Sequence, residues 1–197
     1  MTENDEPISP ENKMIAKYAA AAFGGVPRVG EYANASETLT VGILCCRDRP
    51  CEAVTSYSTV KLSDHPMIWP AGEFPTRLEL AGLCANTAEF FPNMLASAAF
   101  RIMQSHAICK PGSVIHDCAR QPYSSSRLPH LYLTAPFLWE QELRTLDCGT
   151  KKVSWLLAML ISDAEYRFLK EYGDTAFERL LESQNIDISN PQRPSVL

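Results

Sequence analysis

Four residues of metal-binding type fall within thirteen positions: His106, Cys109, His116 and Cys118. Imidazole nitrogen and thiolate sulfur are the ligands that tetrahedral zinc takes. The spacing H-x2-C-x6-H-x-C matches no common finger or ribbon. With seven cysteines and four histidines in the chain, one such cluster is an expected coincidence. Unlinked side chains are therefore the preferred reading, and a zinc-dependent enzyme is kept as an alternative. Cys45-Cys46-x4-Cys51 is weaker, because neighbouring strand residues cannot both face one ion. Asp64-His65 and His116-Asp117 meet the same objection as acid–imidazole dyads and read as polar surface. Glu140 and Glu142 share a face if their segment is extended. That gives an acidic contact patch or an acid/base pair, but no positioned histidine or metal motif accompanies them, and a solvated loop is preferred to catalysis. There is no G-x-S-x-G elbow and no cysteine with a catalytic local signature. Gly24-Gly25 follows a helical pattern, where a phosphate loop would precede one. No catalytic constellation is specified, and the profile fits a binding module better than an enzyme.

These residues must be positioned by a particular run of elements. Residues 1–9 are acidic and unpatterned and predict a flexible tail, with the folded domain spanning 10–197. Ser9-Pro10-Glu11 opens a helix, with Met14, Ile15, Tyr18, Ala19 and Ala22 at helical spacing. From about Val29 to Leu83 the period becomes two, through Leu39–Leu44, Val54–Lys61 and Arg77–Leu80, with turns at Arg47–Pro50 and Trp69–Gly72. Short connections predict antiparallel pairing. Thr87–Ser105 carries a long apolar helical stripe whose regular part starts near Phe91, because Pro92 falls early. Residues 110–129 read as a surface loop rich in proline and serine. Leu131–Leu133 and Val153–Ile161 are two more strands, the second apolar on both faces and hence central. Ser162-x-x-Glu165 is a capping box, Gly173 ends its helix, Asp174 caps another, and Asp187–Leu197 is an extended tail. The sum is an α+β domain with one mixed or antiparallel sheet.

The chain has 197 residues, 46% of them hydrophobic, enough for one domain with a sizeable core. A net charge of −5 argues against sequence-independent nucleic-acid binding, which requires a basic face. It suits a basic partner. No secretory signal pattern stands at the N-terminus. The longest strongly apolar run, Val153–Ile161, is short of the roughly 20 residues that cross a bilayer. A cytoplasmic protein with reduced thiols and no membrane contact is expected.

Several segments together carry a resemblance. They are Thr55-Ser56-Tyr57-Ser58-Thr59-Val60-Lys61-Leu62-Ser63-Asp64-His65, then Pro136-Phe137-Leu138-Trp139-Glu140, then Lys151–Leu157, then Ile161–Tyr166, then Asp187-Ile188, and finally Arg193–Leu197. Their order, from about Asn12 to Leu197, resembles the bacterial branch of the suppressor-of-fused-like domain family, and most of all its antitoxin members. The resemblance implies a single-domain α/β sandwich, its mixed, largely antiparallel sheet flanked by helices, with no cofactor and no catalysis. It implies an immunity protein that neutralises a polymorphic or secreted toxin, commonly a nuclease, by direct contact. A peptide-binding adaptor like the animal relatives is the alternative. Tyr57, Ser63 and Asp64 match a strand and turn that border the peptide cleft in those relatives. Trp139, Glu140 and Glu142 form the second group of expected partner contacts. Neither the toxin's identity nor the oligomeric state follows from the residues.

Overall fold

The computed structural model describes residues 8–120, 123 and 126–197. Residues 1–7 of the expected tail, and Gln121, Pro122, Ser124 and Ser125 of the expected loop, lie outside them. Helix α1 (Pro10–Phe23) starts where the Ser9 hydroxyl accepts from the Asn12 amide at 3.1 Å, and it stops at Gly24, whose φ of 77° leaves the helical region. Three strands follow as an antiparallel meander: β1 (Pro27–Ala33), β2 (Thr40–Arg47) and β3 (Val54–Val60). A 3-10 turn at Leu62–Asp64 leads into a small hairpin of β4 (Ile68–Trp69) and β5 (Gly72–Glu73). Then come β6 (Thr76–Ala85), α2 (Phe91–Ser105), β7 (Val114–Ile115) and β8 (His130–Thr134). The chain closes with β9 (Leu146–Asp147), β10 (Lys152–Ile161), α3 (Asp163–Tyr172) and α4 (Asp174–Ser183).

The main sheet runs β1-β2-β3-β6-β10-β8-β7, with β9 also paired to β10. Its pairs are antiparallel except β6 with β10, which run parallel. The expectation of antiparallel pairing fails at that one junction for a topological reason. The chain between β6 and β10 passes through α2, β7, β8 and β9, enough for a crossover. β10 is interior, and its side chains alternate between two dry faces. Val153, Trp155, Leu157, Met159 and Ile161 join the core under α1, α3 and α4, while Leu156, Ala158 and Leu160 join the core under α2. Each fully buried side chain of this kind contributes roughly 1.5–3 kcal/mol. The result is a three-layer α/β sandwich.

Two other expectations change. Gly173, at φ 83°, takes the N-cap position of α4, and Asp174 sits one residue inside with its carboxylate accepting from the Thr175 amide at 2.9 Å. The C-terminal segment is not a loose extended tail. Arg193 is buried and donates to both oxygens of Glu165, at 2.7 and 3.0 Å, and to the Leu160 carbonyl at 2.9 Å. Glu165 is also the capping-box acid, accepting from the Ser162 amide at 2.8 Å, and it accepts from the Val196 amide at 3.0 Å. One carboxylate thus caps α3, neutralises Arg193 and anchors the chain end.

Two stability changes are expected. Arg193→Met strips a buried carboxylate of its partner and costs about 3–5 kcal/mol, read by urea unfolding; a loss near zero would show that the pair is idle. Gly82 faces Phe91 so closely that a Cβ would stand 2.9 Å from its ring. Gly82→Ala is therefore expected to cost about 1–3 kcal/mol by overpacking, with part of the loss recovered when Phe91→Leu is added.

Candidate partner-binding face

The expected contact residues divide sharply by burial. Tyr57 is 7% exposed and lies in the α2-side core, its ring 5.0 Å from that of Phe91. Burial pushes its phenol up to about 12. Ser63 is fully buried. Trp139, 3% exposed, packs on Phe23 at 4.6 Å between ring centres. Tyr57, Ser63 and Trp139 are therefore corrected from partner contacts to packing residues, whose side chains are spent chiefly on the core. Asp64, Glu140 and Glu142 remain exposed.

The strand–turn segment owes its shape to a buried acid. The period-two pattern put Glu79 opposite the apolar side chains of β6, yet it is fully buried beneath the Leu62–Asp64 turn. Thr59 Oγ1 donates to it at 2.5 Å and the Ser63 amide at 3.0 Å. At the same corner Asp64 accepts from Lys151 Nζ at 2.5 Å and from Asn12 Nδ2 at 2.8 Å. Its charge is already engaged in holding the start of α1 to the turn before β10.

Glu140 and Glu142 are not on an extended segment. Phe137–Trp139 is a 3-10 turn, and the Leu143 amide closes back on the Trp139 carbonyl at 2.7 Å. Among the described residues neither glutamate has a side-chain hydrogen bond or ion pair. The turn is fixed from behind by Trp139 on Phe23 and by the Arg144 amide donating to Tyr18 Oη at 3.2 Å. That fixation leaves Phe137 52% and Leu138 38% exposed. They form the lip of a cleft of about 550 Å³, floored by Met159, Leu181 and Ile188. Glu178 and Glu182, one turn apart on α4, line the same cleft. Sequence reasoning missed this site, although the signal was present: an apolar pair beside the packing Trp, and two acids at helical spacing.

The four metal-type residues go separate ways. The His106 ring lies 3.2 Å from the Pro66 carbonyl, and Cys109 Sγ faces the Ala107 carbonyl at 3.8 Å. His116 stacks edge-on against Tyr166 and His130. Cys118 is buried, its thiol pushed up to about 12 by desolvation. Among the described residues no group of three or more His, Cys, Asp or Glu could hold a metal ion. No described helix is long and apolar enough to cross a membrane.

A three-layer domain with an acidic, apolar-lipped face is the class that this geometry defines, and comparison with known proteins sharpens it. The profile described as Suppressor of fused protein (SUFU) matches residues 37–194, and the chain belongs to that family. It is 34% identical over 190 residues to the immunity protein YqcF of Bacillus subtilis strain 168, covering 96% of this chain and 99% of that one. Among solved structures it resembles a SUFU homologue from Neisseria gonorrhoeae, with TM-score 0.69, 14% identity, and coverage of 95% of this chain and 97% of that one. It also resembles a chain of the Sufu–Fu complex, with TM-score 0.68, 13% identity and 96% and 93% coverage. Drosophila Suppressor of Fused matches with TM-score 0.66 and 14% identity over 95% of this chain, which spans 51% of the fly protein. At such identities the structures speak for the fold.

Glu79 generates a pH prediction. Burial, the largest influence, raises its carboxyl above the ordinary carboxylate range, while the Thr59 and Ser63 hydrogen bonds pull the other way. A raised acid contributes stability that is complete below the unfolded carboxylate pKa, near ~4.3, and is lost as pH rises through the folded value. Glu79→Gln is therefore expected to flatten the decline of unfolding free energy with rising pH. Parallel pH profiles for the two proteins would show that Glu79 is not the responsible group.

Proposed function

We propose that this chain is an immunity protein. It binds a cognate toxin domain directly and blocks it, without chemistry of its own, in the cytoplasm. The observation that carries this reading is the 34% identity to an immunity protein over nearly the full length of both chains. The partner that its charge suits is a basic nuclease domain. Such a domain presents lysines and arginines to phosphate, and a protein of net charge −5 complements that surface. Glu140 and Glu142 are the unengaged acids of the exposed turn. Asp64 lies beside Asn12, at the far end of α1 from the Phe23 that supports this turn, about 16 Å along the helix axis.

The test is rescue. Toxin domains encoded in the same genome are expressed with and without the chain, and purified pairs are tested for a complex at low and high salt. Restored growth together with a complex is expected; arrest that persists with every such toxin, and no complex, overturns the reading. A folded triple variant, Asp64→Lys with Glu140→Lys and Glu142→Lys, is expected to associate about tenfold more slowly at low salt, a gap that narrows as salt screens it. Unchanged toxin binding would remove these acids from the contact surface.

A further inference from the structure

The cleft under Phe137 and Leu138 carries more information than a patch of acid. Its floor is apolar, its lip is apolar, and its charged lining residues are Glu178 and Glu182, with no lysine or arginine among them. Glu178 is fixed in place. Its Oε1 accepts from Tyr132 Oη at 2.9 Å and from Thr134 Oγ1 at 2.7 Å. Burial, and next the Glu178 carboxylate itself, raise the Tyr132 phenol, so it stays a hydrogen-bond donor. Both donors engage the same oxygen. Oε2 has no hydrogen-bond partner among the described residues, on a side chain that Tyr132 and Thr134 hold in the lining of the apolar cleft. A carboxylate oxygen held in that manner suits a cationic donor, and a guanidinium fits best, since its planar fork can also reach a second acid such as Glu182.

We propose that this cleft receives a short partner segment in which an arginine is flanked by apolar side chains: the arginine on Glu178, the apolar neighbours against the exposed Phe137 and Leu138, above the buried floor of Leu181 and Met159. The arrangement follows the usual anatomy of a binding hot spot, an apolar anchor in a pocket with one charged pair desolvated beside it. The chain's own first seven residues do not match, since they carry Glu3, Asp5 and Glu6 and no lysine or arginine. Assigning the segment to a toxin rests on the immunity reading; the recognition chemistry does not.

The experiment therefore uses a probe independent of any toxin. A short acetylated peptide with one Arg between Leu and Phe is titrated into the full-length chain and followed by amide chemical shifts. Shifts are expected around Leu138, Glu178 and Leu181. Replacing Arg by citrulline, neutral and nearly isosteric, is expected to weaken binding about tenfold. Glu178→Gln keeps an acceptor for Tyr132 and Thr134 and is expected to abolish the difference between the two peptides. The exposed Leu138→Ser is expected to weaken both equally. No shifts, shifts elsewhere, equal binding of the two peptides, or an unchanged preference in Glu178→Gln overturns the proposal. So does light scattering that shows a dimer dissolved by either peptide alike, which would make a second copy the occupant. Failure here leaves toxin rescue by the wild-type chain untouched, and failure of rescue leaves the peptide result standing.

Discussion

The fold depends on one strand being dry on both sides. β10 sends alternate side chains into two separate cores, so helices must cover both faces of the sheet. Its neighbours are constrained with it. β8 contributes Leu131 and Leu133 to one core and Tyr132 to the other, and β6 divides Leu78 and Leu80 from Ala81 and Leu83. Gly82 is the place where this crowding leaves no room for a Cβ. The close approach of α2 to β6 through Phe91 fixes the spacing between one layer and the sheet.

Polar groups trapped by this packing are then given structural tasks. Glu165 satisfies a helix start, an arginine and the chain end at once. Glu79 accepts from a strand hydroxyl and from a turn amide, and so joins β3, β6 and the Leu62–Asp64 turn. Trp155 Nε1 donates to Ser58 Oγ at 3.0 Å across the sheet. Satisfied networks of this kind favour a single arrangement over alternatives of similar hydrophobic burial. They also explain why residues that look like surface chemistry in the sequence are absent from the surface.

The elements were largely legible because their signals are local. The Ser9 cap, the Gly24 stop, the Ser162 capping box and the all-apolar Val153–Ile161 strand each rest on a few adjacent residues. What depended on distant partners was not legible. Glu79 alternates with leucines as a surface residue would, yet it lies on the face that buries Ala81 and Leu83, and the Leu62–Asp64 turn closes over it. Arg193 sits among prolines and polar residues, and nothing nearby announces that Glu165 awaits it. The site shows the same division: Trp139 reads as a partner contact until Phe23 is placed against it, whereas the exposure of Glu140 and Glu142 could be read from their sequence neighbourhood.

The burial of Trp139 connects these layers to the exposed cleft. A 3-10 turn of three residues has no stability alone; it holds because its last member is locked into the α1-side core. That lock sets the direction of the other two, and Phe137 and Leu138 point outward because Trp139 points inward. On the facing wall, Tyr132 and Thr134 of β8 orient Glu178 from beneath, so one side of the cleft is set by the sheet and the other by α1. A face positioned in this way is ordered in advance, so binding energy at it would not be spent on immobilising loops. The exposed surface can vary in residue type while its geometry stays tied to the core. That separation of scaffold from exposed surface accords with a fold that is kept at 13–14% identity.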